Sequence, residues 1–456
     1  MFLAKDARAD ASRGQPSVLP VAPATGSPIV PIGGLVAGAA APVLTRSRLE
    51  QVRGRGRVRG VLAMLGPAFV AAVAYVDPGN FATNFSAGAR FGYSLTWVIL
   101  VANAMAMLVQ YLAAKVGVAT GRDLPELCRE RFPRPVTFVL WAQAELVAMA
   151  TDLAEFVGAA IGFNLLFGVP PLAAGALTAV VAFGILGLEQ RGYRRFELAI
   201  AGLLGVVLLG FAYDVIAVGA VRVAPVDLLP GSVGADALLL TAGIVGATVM
   251  PHVVYLHSAL LKTRVPCQDD GERREVLRFQ RVDVLVALGT AGMINLAMLF
   301  VAAAVFGGGR GGAAVDSIEA AHAGLGRIAG GGAALAFAVA LLASGLSSSS
   351  VGTYAGQVVM QGFIRRQVPL FLRRGLTMLP ALLVLGLGLP TTQTLVVSQI
   401  VLSFGIPFAL IPLLVLTSRT SVMGSFVNSR ATIAVTTVVA AAIISLNGYV
   451  LFATFG

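Results

Sequence analysis

Long runs of apolar residues, separated by short polar connections, dominate the chain after residue 60. Each run is long enough for a membrane-spanning helix, which needs about 20 residues. The pattern therefore predicts an all-α integral membrane protein with eleven transmembrane helices. The predicted spans are 61–88, 94–119, 136–163, 168–188, 196–220, 236–261, 282–306, 331–362, 371–390, 394–417 and 431–454.

The basic residues between these runs predict the orientation of the chain. Cytoplasmic connections of membrane proteins carry an excess of Lys and Arg. With the N-terminus in the cytoplasm, the inner connections hold 19 Lys and Arg residues and the outer connections hold four. A missed or added span would destroy this alternation. The count therefore supports eleven spans, a cytoplasmic N-terminus and an external C-terminus.

The composition supports the membrane assignment and excludes other classes. Hydrophobic residues make up 57% of the chain and charged residues 12%, whereas soluble domains contain about 25% charged residues. The net charge of +11 is explained by the basic connections, so we expect no nucleic-acid partner. Cys128 and Cys267 fall in predicted cytoplasmic connections, where thiols stay reduced, and we expect no disulfide.

The chain divides into a tail and one membrane domain. Residues 1–58 are rich in Pro, Gly, Ala and Arg and predict a disordered, basic cytoplasmic tail. Residues 59–456 form the predicted transporter domain. It contains no phosphate-binding loop motif, and its longest cytoplasmic connection, about 262–281, is too short for a nucleotide-binding domain. We therefore expect neither an ATPase subunit nor ATP-driven transport.

The first span is interrupted by Asp77-Pro78-Gly79-Asn80. An Asp at the centre of a membrane helix costs about 2.5–3.5 kcal/mol. Pro78 removes a backbone donor and breaks the helix. Broken backbone at membrane depth is tolerated only where it faces protein or a water-filled cavity. The motif therefore indicates a functional site, although a neutral acid that caps a kink is the simpler alternative.

A second interruption, Met250-Pro251-His252, lies in the sixth span. Interrupted spans at corresponding positions of two halves are typical of a transporter binding site. With five spans in each half, the two halves have opposite orientations. The predicted inverted repeats are about 61–220 and 236–417, and 431–454 is an extra helix.

The two breaks offer a mixed set of ligands. Asp77 supplies a carboxylate, Asn80 an amide oxygen and Met250 a thioether, and unwound backbone frees carbonyls near Ala74 and Ala247. Oxygen ligands alone would suit Na⁺, Mg²⁺ or Ca²⁺. A thioether beside a carboxylate favours a borderline transition metal such as Mn²⁺ or Fe²⁺. A methionine in a membrane helix is also a common space-filling residue.

Three acids, Glu145, Asp152 and Glu155, lie in the third span at separations of seven and three residues, which put them on one helix face. Two interpretations stay open: a proton route from Asp77 toward the cytoplasm, or a buried polar network. Near the inner end the candidate counter-charges are Arg264, Arg373 and Arg374.

Two of the three histidines, His252 and His257, lie in the sixth span. Five residues correspond to about 140° around a helix, so they do not form one chelating face. Beside the break, His252 is a candidate for proton movement or gating, and His257 for the same aqueous pathway. Hydrogen-bonded core imidazoles are the alternative for both.

Residues 77–80 and 250–252 resemble the two signature motifs of the Nramp family of proton-coupled divalent metal transporters. The resemblance runs from about residue 60 to 456 and includes the neighbourhoods 143–155 and 398–407. The bacterial members are manganese and iron uptake proteins of the cell membrane. The resemblance supports the proton route for Asp152 and Glu155 more than for Glu145.

The resemblance implies a leucine-transporter-type fold of 5+5 inverted repeats that works by alternating access, with helices 1 and 6 broken. It implies proton-coupled uptake of Mn²⁺, Fe²⁺ and similar ions by a transporter that is not an enzyme and uses no cofactor. The ligands that it implies are Asp77, Asn80, Met250 and the carbonyls of Ala74 and Ala247, joined by Gln399 in the inward-facing state.

Three other functions are alternatives to metal transport. An organic-solute symporter of the same fold would need a roomier pocket and a free helix N-terminus. An intramembrane hydrolase would need a motif such as H-E-x-x-H, which is absent, and His252 with Asp77 does not replace it. A passive metal channel would show neither saturation nor metal-driven proton flux.

Overall fold

The computed structural model describes residues 66–190, 193–219, 229, 234–262, 267, 269–307, 317–366 and 368–455. Over these ranges the chain is almost entirely α-helical and forms no β-strand. The predicted tail and Arg264 lie outside the described residues. In chain order the helices are α1 (Pro67–Ala74), α2 (Pro78–Phe91), α3 (Thr96–Thr120), α4 (Leu124–Arg131), α5 (Arg134–Phe167), α6 (Pro171–Gln190), α7 (Tyr193–Val218), α8 (Ala235–Thr248), α9 (Pro251–Lys262), α10 (Asp270–Phe306), α11 (Ile318–Ile328), α12 (Gly331–Ile364), α13 (Leu370–Gly386), α14 (Thr391–Thr417), α15 (Thr420–Met423) and α16 (Arg430–Phe455), with a 3₁₀ turn at Gly424–Phe426.

Eight helical stretches among the described residues are long and apolar enough to cross a bilayer. They are Thr96–Thr120, Arg134–Phe167, Arg194–Val218, Ala237–Lys262, Asp270–Phe306, Gly331–Ile364, Thr391–Thr417 and Arg430–Ala453. The three other predicted spans fall on shorter helices: the pair α1 and α2, the apolar stretch Pro171–Ile185, and the 17-residue α13. The fold is therefore that of a polytopic helical membrane protein.

Helices α5 and α12, each of 34 residues, form the largest helix–helix contact of the described chain. Small residues make it close. A methyl group at Gly162 would lie 2.8 Å from the Cα of Leu342, and one at Gly345 would lie 2.7 Å from the backbone nitrogen of Ala159. Membrane helices gain dispersion energy when small residues let their backbones approach. This contact turns the face of α5 that carries Asp152 and Glu155 toward α12.

The short helix α4 joins the ends of α9 and α12. It begins with a capping box, in which Asp123 accepts from the backbone of Glu126 at 2.9 Å and Glu126 accepts from the backbone of Asp123 at 3.1 Å. Lys262, at the end of α9, lies 2.7 Å from Asp123 and 2.8 Å from Glu126. The Arg129 guanidinium donates to the carbonyl of Gln361 on α12 at 3.2 Å. These bonds hold three helix ends together.

Cys128 is buried and Cys267 is half-buried, and neither forms a disulfide with another described residue. Burial raises the pKa of the Cys267 thiol to about 11 and the pKa of Cys128 well above its ordinary value. The reactive form of cysteine is the thiolate. Both thiols are therefore expected to be unreactive at neutral pH.

Candidate functional site

Two pairs of consecutive helices meet end to end at the sequence motifs. Helix α1 ends at Ala74 and α2 begins at Pro78, and α8 ends at Thr248 and α9 begins at Pro251. Proline fits the first position of a helix because its missing N–H would have no partner there. Asp77 caps α2 by accepting from the backbone nitrogen of Asn80 at 2.8 Å.

The two prolines also release two backbone carbonyls. In an α-helix the carbonyl of one residue accepts from the N–H four residues later. The residue four positions after Ala74 is Pro78, and the residue four positions after Ala247 is Pro251. Because proline has no N–H, neither carbonyl has its usual helical donor. Both alanines are fully buried, so these carbonyls are candidate ligands away from solvent.

The two carbonyls that follow Ala74 have other partners. The Tyr75 carbonyl accepts from the side-chain amide of Asn295 on α10 at 2.9 Å, and the Val76 carbonyl accepts from the Ser344 hydroxyl on α12 at 2.5 Å. Buried backbone groups need such partners. Helices α10 and α12 thus stabilise the unwound stretch through side-chain donors.

The Asn80 side chain connects the two breaks. Its amide nitrogen donates to Asp77 Oδ1 at 2.8 Å and to the carbonyl of Ala247 at 3.1 Å. Because the Ala247 carbonyl can only accept a hydrogen bond, it fixes which way the amide points. The Asn80 carbonyl oxygen is left without a partner, as is Asp77 Oδ2. Both residues are completely buried.

Gln399 on α14 lies between the two broken segments. A methyl group at Gly79 would overlap the side-chain amide of Gln399, and one at Gly246 would overlap its backbone carbonyl. Its Nε2 donates to the Ser398 hydroxyl at 3.2 Å. Its Oε1 is buried and accepts no hydrogen bond. The structure thus brings this candidate ligand to the two breaks.

Met250 lies between the end of α8 and Pro251 and is completely buried. No three His, Cys, Asp or Glu side chains converge on one point within the described residues. A cation bound at the breaks would therefore need the mixed set of one carboxylate, amide oxygens, backbone carbonyls and a thioether. Hard oxygen ligands with one soft sulfur suit borderline divalent transition metals.

The acids of α5 face α12 near its centre. Glu155 is completely buried and Asp152 is 9% exposed. A methyl group at Gly352 would lie 2.7 Å from Glu155 Oε2 and 3.3 Å from Asp152 Oδ1. Both carboxylates therefore fill the space that this glycine leaves. Asp152 also lies beside the hydroxyl of Thr377.

The two arginines of α13 have different partners. Arg373 forms an ion pair of 2.9 Å with Glu145, and a methyl group at Gly356 would overlap its guanidinium. Arg374 donates to the hydroxyls of Ser349 at 2.7 Å and Thr353 at 2.8 Å. The pairing of Glu145 with Arg373 favours the structural interpretation for this acid.

The two histidines of α9 occupy separate polar contacts. His252 Nδ1 lies 3.4 Å from the hydroxyl of Thr151, on the acid-bearing helix α5. His257 Nδ1 lies 2.8 Å from Oε1 of Gln110, whose Nε2 donates to the Tyr75 hydroxyl. The Nε2 atoms of both histidines are buried without a partner. His252 is therefore close to α5, whereas His257 is linked to the first break.

Several polar residues around the breaks are missed when only the motifs are considered. Gln110, Asn295 and Ser344 bond to the first break, and Asn84 donates to Asn295 at 3.0 Å. The sequence marks such residues only by a single carboxamide within an otherwise apolar run, as at Gln110. A buried amide in a membrane helix needs a partner, but the sequence does not say which one.

The chain matches the family model described as natural resistance-associated macrophage protein-like (Nramp) over residues 68–453. It is 49% identical over 415 residues to a protein of Bacillus subtilis named divalent metal cation transporter MntH. That alignment covers 90% of this chain and 97% of the relative.

Two solved structures are similar to this fold. A variant of the manganese transporter of Eremococcus coleocola matches with a TM-score of 0.76 and 32% identity, over 86% of this chain and 87% of that chain. Mhp1, a nucleobase-cation-symport-1 family transporter, matches with a TM-score of 0.52 over 85% of this chain and 93% of that chain. At 13% identity, this second match concerns the fold alone. From the family model and the extent of these matches, the chain belongs to the Nramp family.

Proposed function

We propose that this protein takes up Mn²⁺, together with Fe²⁺ and similar divalent transition-metal ions, in symport with protons across the bacterial cell membrane. The observation that carries this proposal is the position of Asn80. Its amide joins Asp77 to the Ala247 carbonyl and leaves two buried acceptor oxygens of the pair free. Relatives named as divalent metal and manganese transporters support the same substrate class.

The proposed ligands are the side chains of Asp77, Asn80 and Met250 and the carbonyls of Ala74 and Ala247. Gln399 joins them when the site faces inward. Burial of all these groups removes competing water. The thioether lowers the advantage that Ca²⁺ and Mg²⁺ have at all-oxygen sites, because those ions gain little from sulfur.

The proposed architecture has eleven spans. The first consists of α1 and α2, the sixth of α8 and α9, and α16 is the last. Spans 1–5 and 6–10 form inverted repeats, with the N-terminus in the cytoplasm and the C-terminus outside. The site lies where the interrupted spans of the two repeats meet, and alternating access moves one repeat against the other around it.

The proton and the membrane potential drive uptake. A divalent ion that moves inward across 100 mV gains about 2 × 2.3 kcal/mol. Metal binding at Asp77 requires its ionised form, so binding releases a proton and weakens at low pH. The proton then moves toward the cytoplasm past Asp152 and Glu155, and His252 and Arg374 contribute to this route.

Transport by purified protein in proteoliposomes tests the proposal. Uptake of Mn²⁺, Fe²⁺, Co²⁺, Zn²⁺ and Cd²⁺ is recorded together with internal pH. We expect saturable Mn²⁺ uptake with internal acidification, and loss of both in Asp77→Ala. Inhibition by amino acids in place of metals would support an organic-solute symporter, and non-saturable flux without acidification would support a channel.

A further inference from the structure

One acid in the membrane domain has no role in the site above. Asp214 lies in α7, four residues before its end at Val218. It is completely buried, and neither of its carboxylate oxygens has a hydrogen-bond partner. No other residue of α7 combines these properties within the described chain.

The neighbouring turn shows where Asp214 points. A methyl group at Gly210 would lie 3.0 Å from the Cβ of Ala340 and 3.1 Å from the carbonyl of Ala336, so this face of α7 packs on α12. Residues four apart lie on the same face of a helix. Asp214 therefore faces the apolar first turns of α12.

Charged groups are missing from the described surroundings of Asp214. Helix α7 packs mainly on α1, α6, α10 and α12. Helices α1 and α12 contain no charged residue, and those of α10 all lie within 270–283, at its other end. The only charged residue of α6 is Glu189, at the end joined to the start of α7. His322 of α11 lies against the Phe337 ring, with ring centroids 6.3 Å apart. Arg90, the only charged residue of α2, lies exposed near the end of that helix.

An isolated carboxylate in such surroundings is stable only in its neutral form. Transferring an unpaired charge from water to an apolar interior costs far more than protonating the group at neutral pH. A partner is needed to keep the ionised form, and none of the described neighbours supplies one. Among the described residues nothing therefore keeps Asp214 ionised, and its neutral form is favoured in this conformation.

A cluster of four phenylalanines lies one turn away. It consists of Phe81 and Phe85 of α2, Phe211 of α7 and Phe337 of α12. The ring centroids of its contacting pairs are 4.9–6.5 Å apart. Phe81 directly follows Asn80, so the cluster joins the metal-site helix α2 to α7 and α12. Asp214 lies beyond the cluster on the side that the charge pattern assigns to the exterior.

We propose that Asp214 is a proton-binding site that couples external pH to the opening of this phenylalanine cluster. The carboxylic acid stays protonated while the cluster is closed. When α2 separates from α7 and α12, external water reaches Asp214, its O–H bond breaks, and the proton leaves to that water. Closure requires the reverse step. The inference uses the orientation given under the proposed function but not the identity of the transported ion.

The test measures access to α2 from outside, without metal. Ser86 follows Phe85 in α2 and is 9% exposed, so Ser86→Cys places a conservative probe on the helix that has to move. Its labelling by a membrane-impermeant thiosulfonate is followed in cells between external pH 5.5 and 8.5. The unmodified chain, with only Cys128 and Cys267, gives the background.

The labelling rate of Ser86→Cys is compared with that of the double variant Ser86→Cys/Asp214→Asn. We expect the ratio of the first rate to the second to rise with external pH, by up to about tenfold per pH unit, because one proton is linked to opening. The ratio removes the intrinsic pH dependence of the thiol. Asp214→Glu should retain the rise. If Asp214→Asn does not fold, Asp214→Leu takes its place, because leucine suits the apolar surroundings. The same rise of the ratio with pH is expected.

A ratio that stays constant with pH for a folded neutral variant overturns the proposal. Folding is checked by size-exclusion chromatography and thermal unfolding. Because the readout needs no metal transport, its failure leaves the proposed transport function intact, and the absence of metal uptake leaves this result interpretable.

Discussion

The side chain of Asn80 reaches across both helix breaks to the carbonyl of Ala247, 3.1 Å away and 167 residues later in the chain. The same amide nitrogen donates to Asp77 at 2.8 Å. One side chain therefore links the acid of the first break to the Ala247 carbonyl of the second. A cation that binds groups of both breaks would therefore change this contact.

Replacement of Asn80 by alanine tests this link. The variant loses one of the proposed metal ligands and the hydrogen bonds to Asp77 and Ala247. A hydrogen bond to a charged group contributes about 1.5–3 kcal/mol, so we expect the KM for Mn²⁺ to rise about 10- to 100-fold. Proteoliposome uptake measures this change. Asn164→Ala, which removes a bond of 2.8 Å to the Val169 carbonyl at the end of α5, is the control and should leave KM unchanged.

Met250→Ala tests the contribution of the thioether. The proposed ligands that remain are all oxygens, which favour hard cations. We therefore expect residual Mn²⁺ uptake together with increased uptake of Ca²⁺ and Mg²⁺. Uptake of ⁴⁵Ca measures the change. Met378→Ala, at a buried position in α13, controls for the loss of a buried methionine. Unchanged ⁴⁵Ca uptake in Met250→Ala would show that sulfur does not set the selectivity.

The sequence predicts the positions of the helices well because apolar length is a direct physical requirement of the bilayer. The breaks are also visible, since Pro78 and Pro251 each remove a donor that a helix needs. The number of membrane spans is harder to predict from the sequence. Helices such as α13, with 17 residues, are shorter than a typical span, so their assignment depends on the charge alternation as well as on their apolar length.

Tertiary contacts explain what the sequence leaves undetermined at the site. Spacing puts Glu145 on the face of the other two α5 acids, but its pairing with Arg373 depends on the packing of α13 against α5. The donors Asn295 and Ser344 lie 220 and 268 residues from their acceptors in the first break. No local pattern encodes such pairs, because they follow from how the helices pack.

Gly79→Ala tests whether Gln399 must approach α2 closely. The added methyl would overlap the Gln399 amide, and overpacking of this kind typically costs about 1–3 kcal/mol. We expect a folded protein whose Mn²⁺ transport is reduced at least about tenfold, because a displacement of about 1 Å is enough to disturb a bound geometry. Gly202→Ala, where no atom lies within 4 Å of the new methyl, should transport normally. Equal activity of the two variants would contradict the expected contact.

Neutral variants of the α5 acids separate a proton route from a structural network. Glu155→Gln should keep metal binding but reduce metal-driven internal acidification, because the amide cannot carry the proton. Glu145→Gln should instead reduce stability, since it leaves Arg373 buried without its partner. Parallel recordings of Mn²⁺ uptake, internal pH and thermal unfolding measure these effects. Coupled acidification that persists unchanged in Glu155→Gln would place the route elsewhere.

The contact between α4 and α9 should make stability depend on pH. Burial raises the pKa of Asp123 to about 6, although the nearby Lys262 opposes the shift. For Glu126, burial alone would raise the pKa, but the hydrogen bond and charge of Lys262 outweigh it, and the pKa is lowered. An unfolded Asp has a pKa of about 3.9. The folded state therefore binds the Asp123 proton more tightly than the unfolded state does.

The stabilisation from protonated Asp123 is complete below about pH 4 and is lost as the pH rises through about 6. It amounts to at most about 3 kcal/mol. Asp123→Asn removes this contribution. We expect the Tm of the unmodified protein to fall between pH 4.5 and 7 relative to that of Asp123→Asn, measured by thermal unfolding in detergent. Glu130→Gln, at a more exposed ion pair with Arg122, is the control and should follow the unmodified protein. Parallel curves for Asp123→Asn and the unmodified protein would show that Asp123 stays ionised beside Lys262.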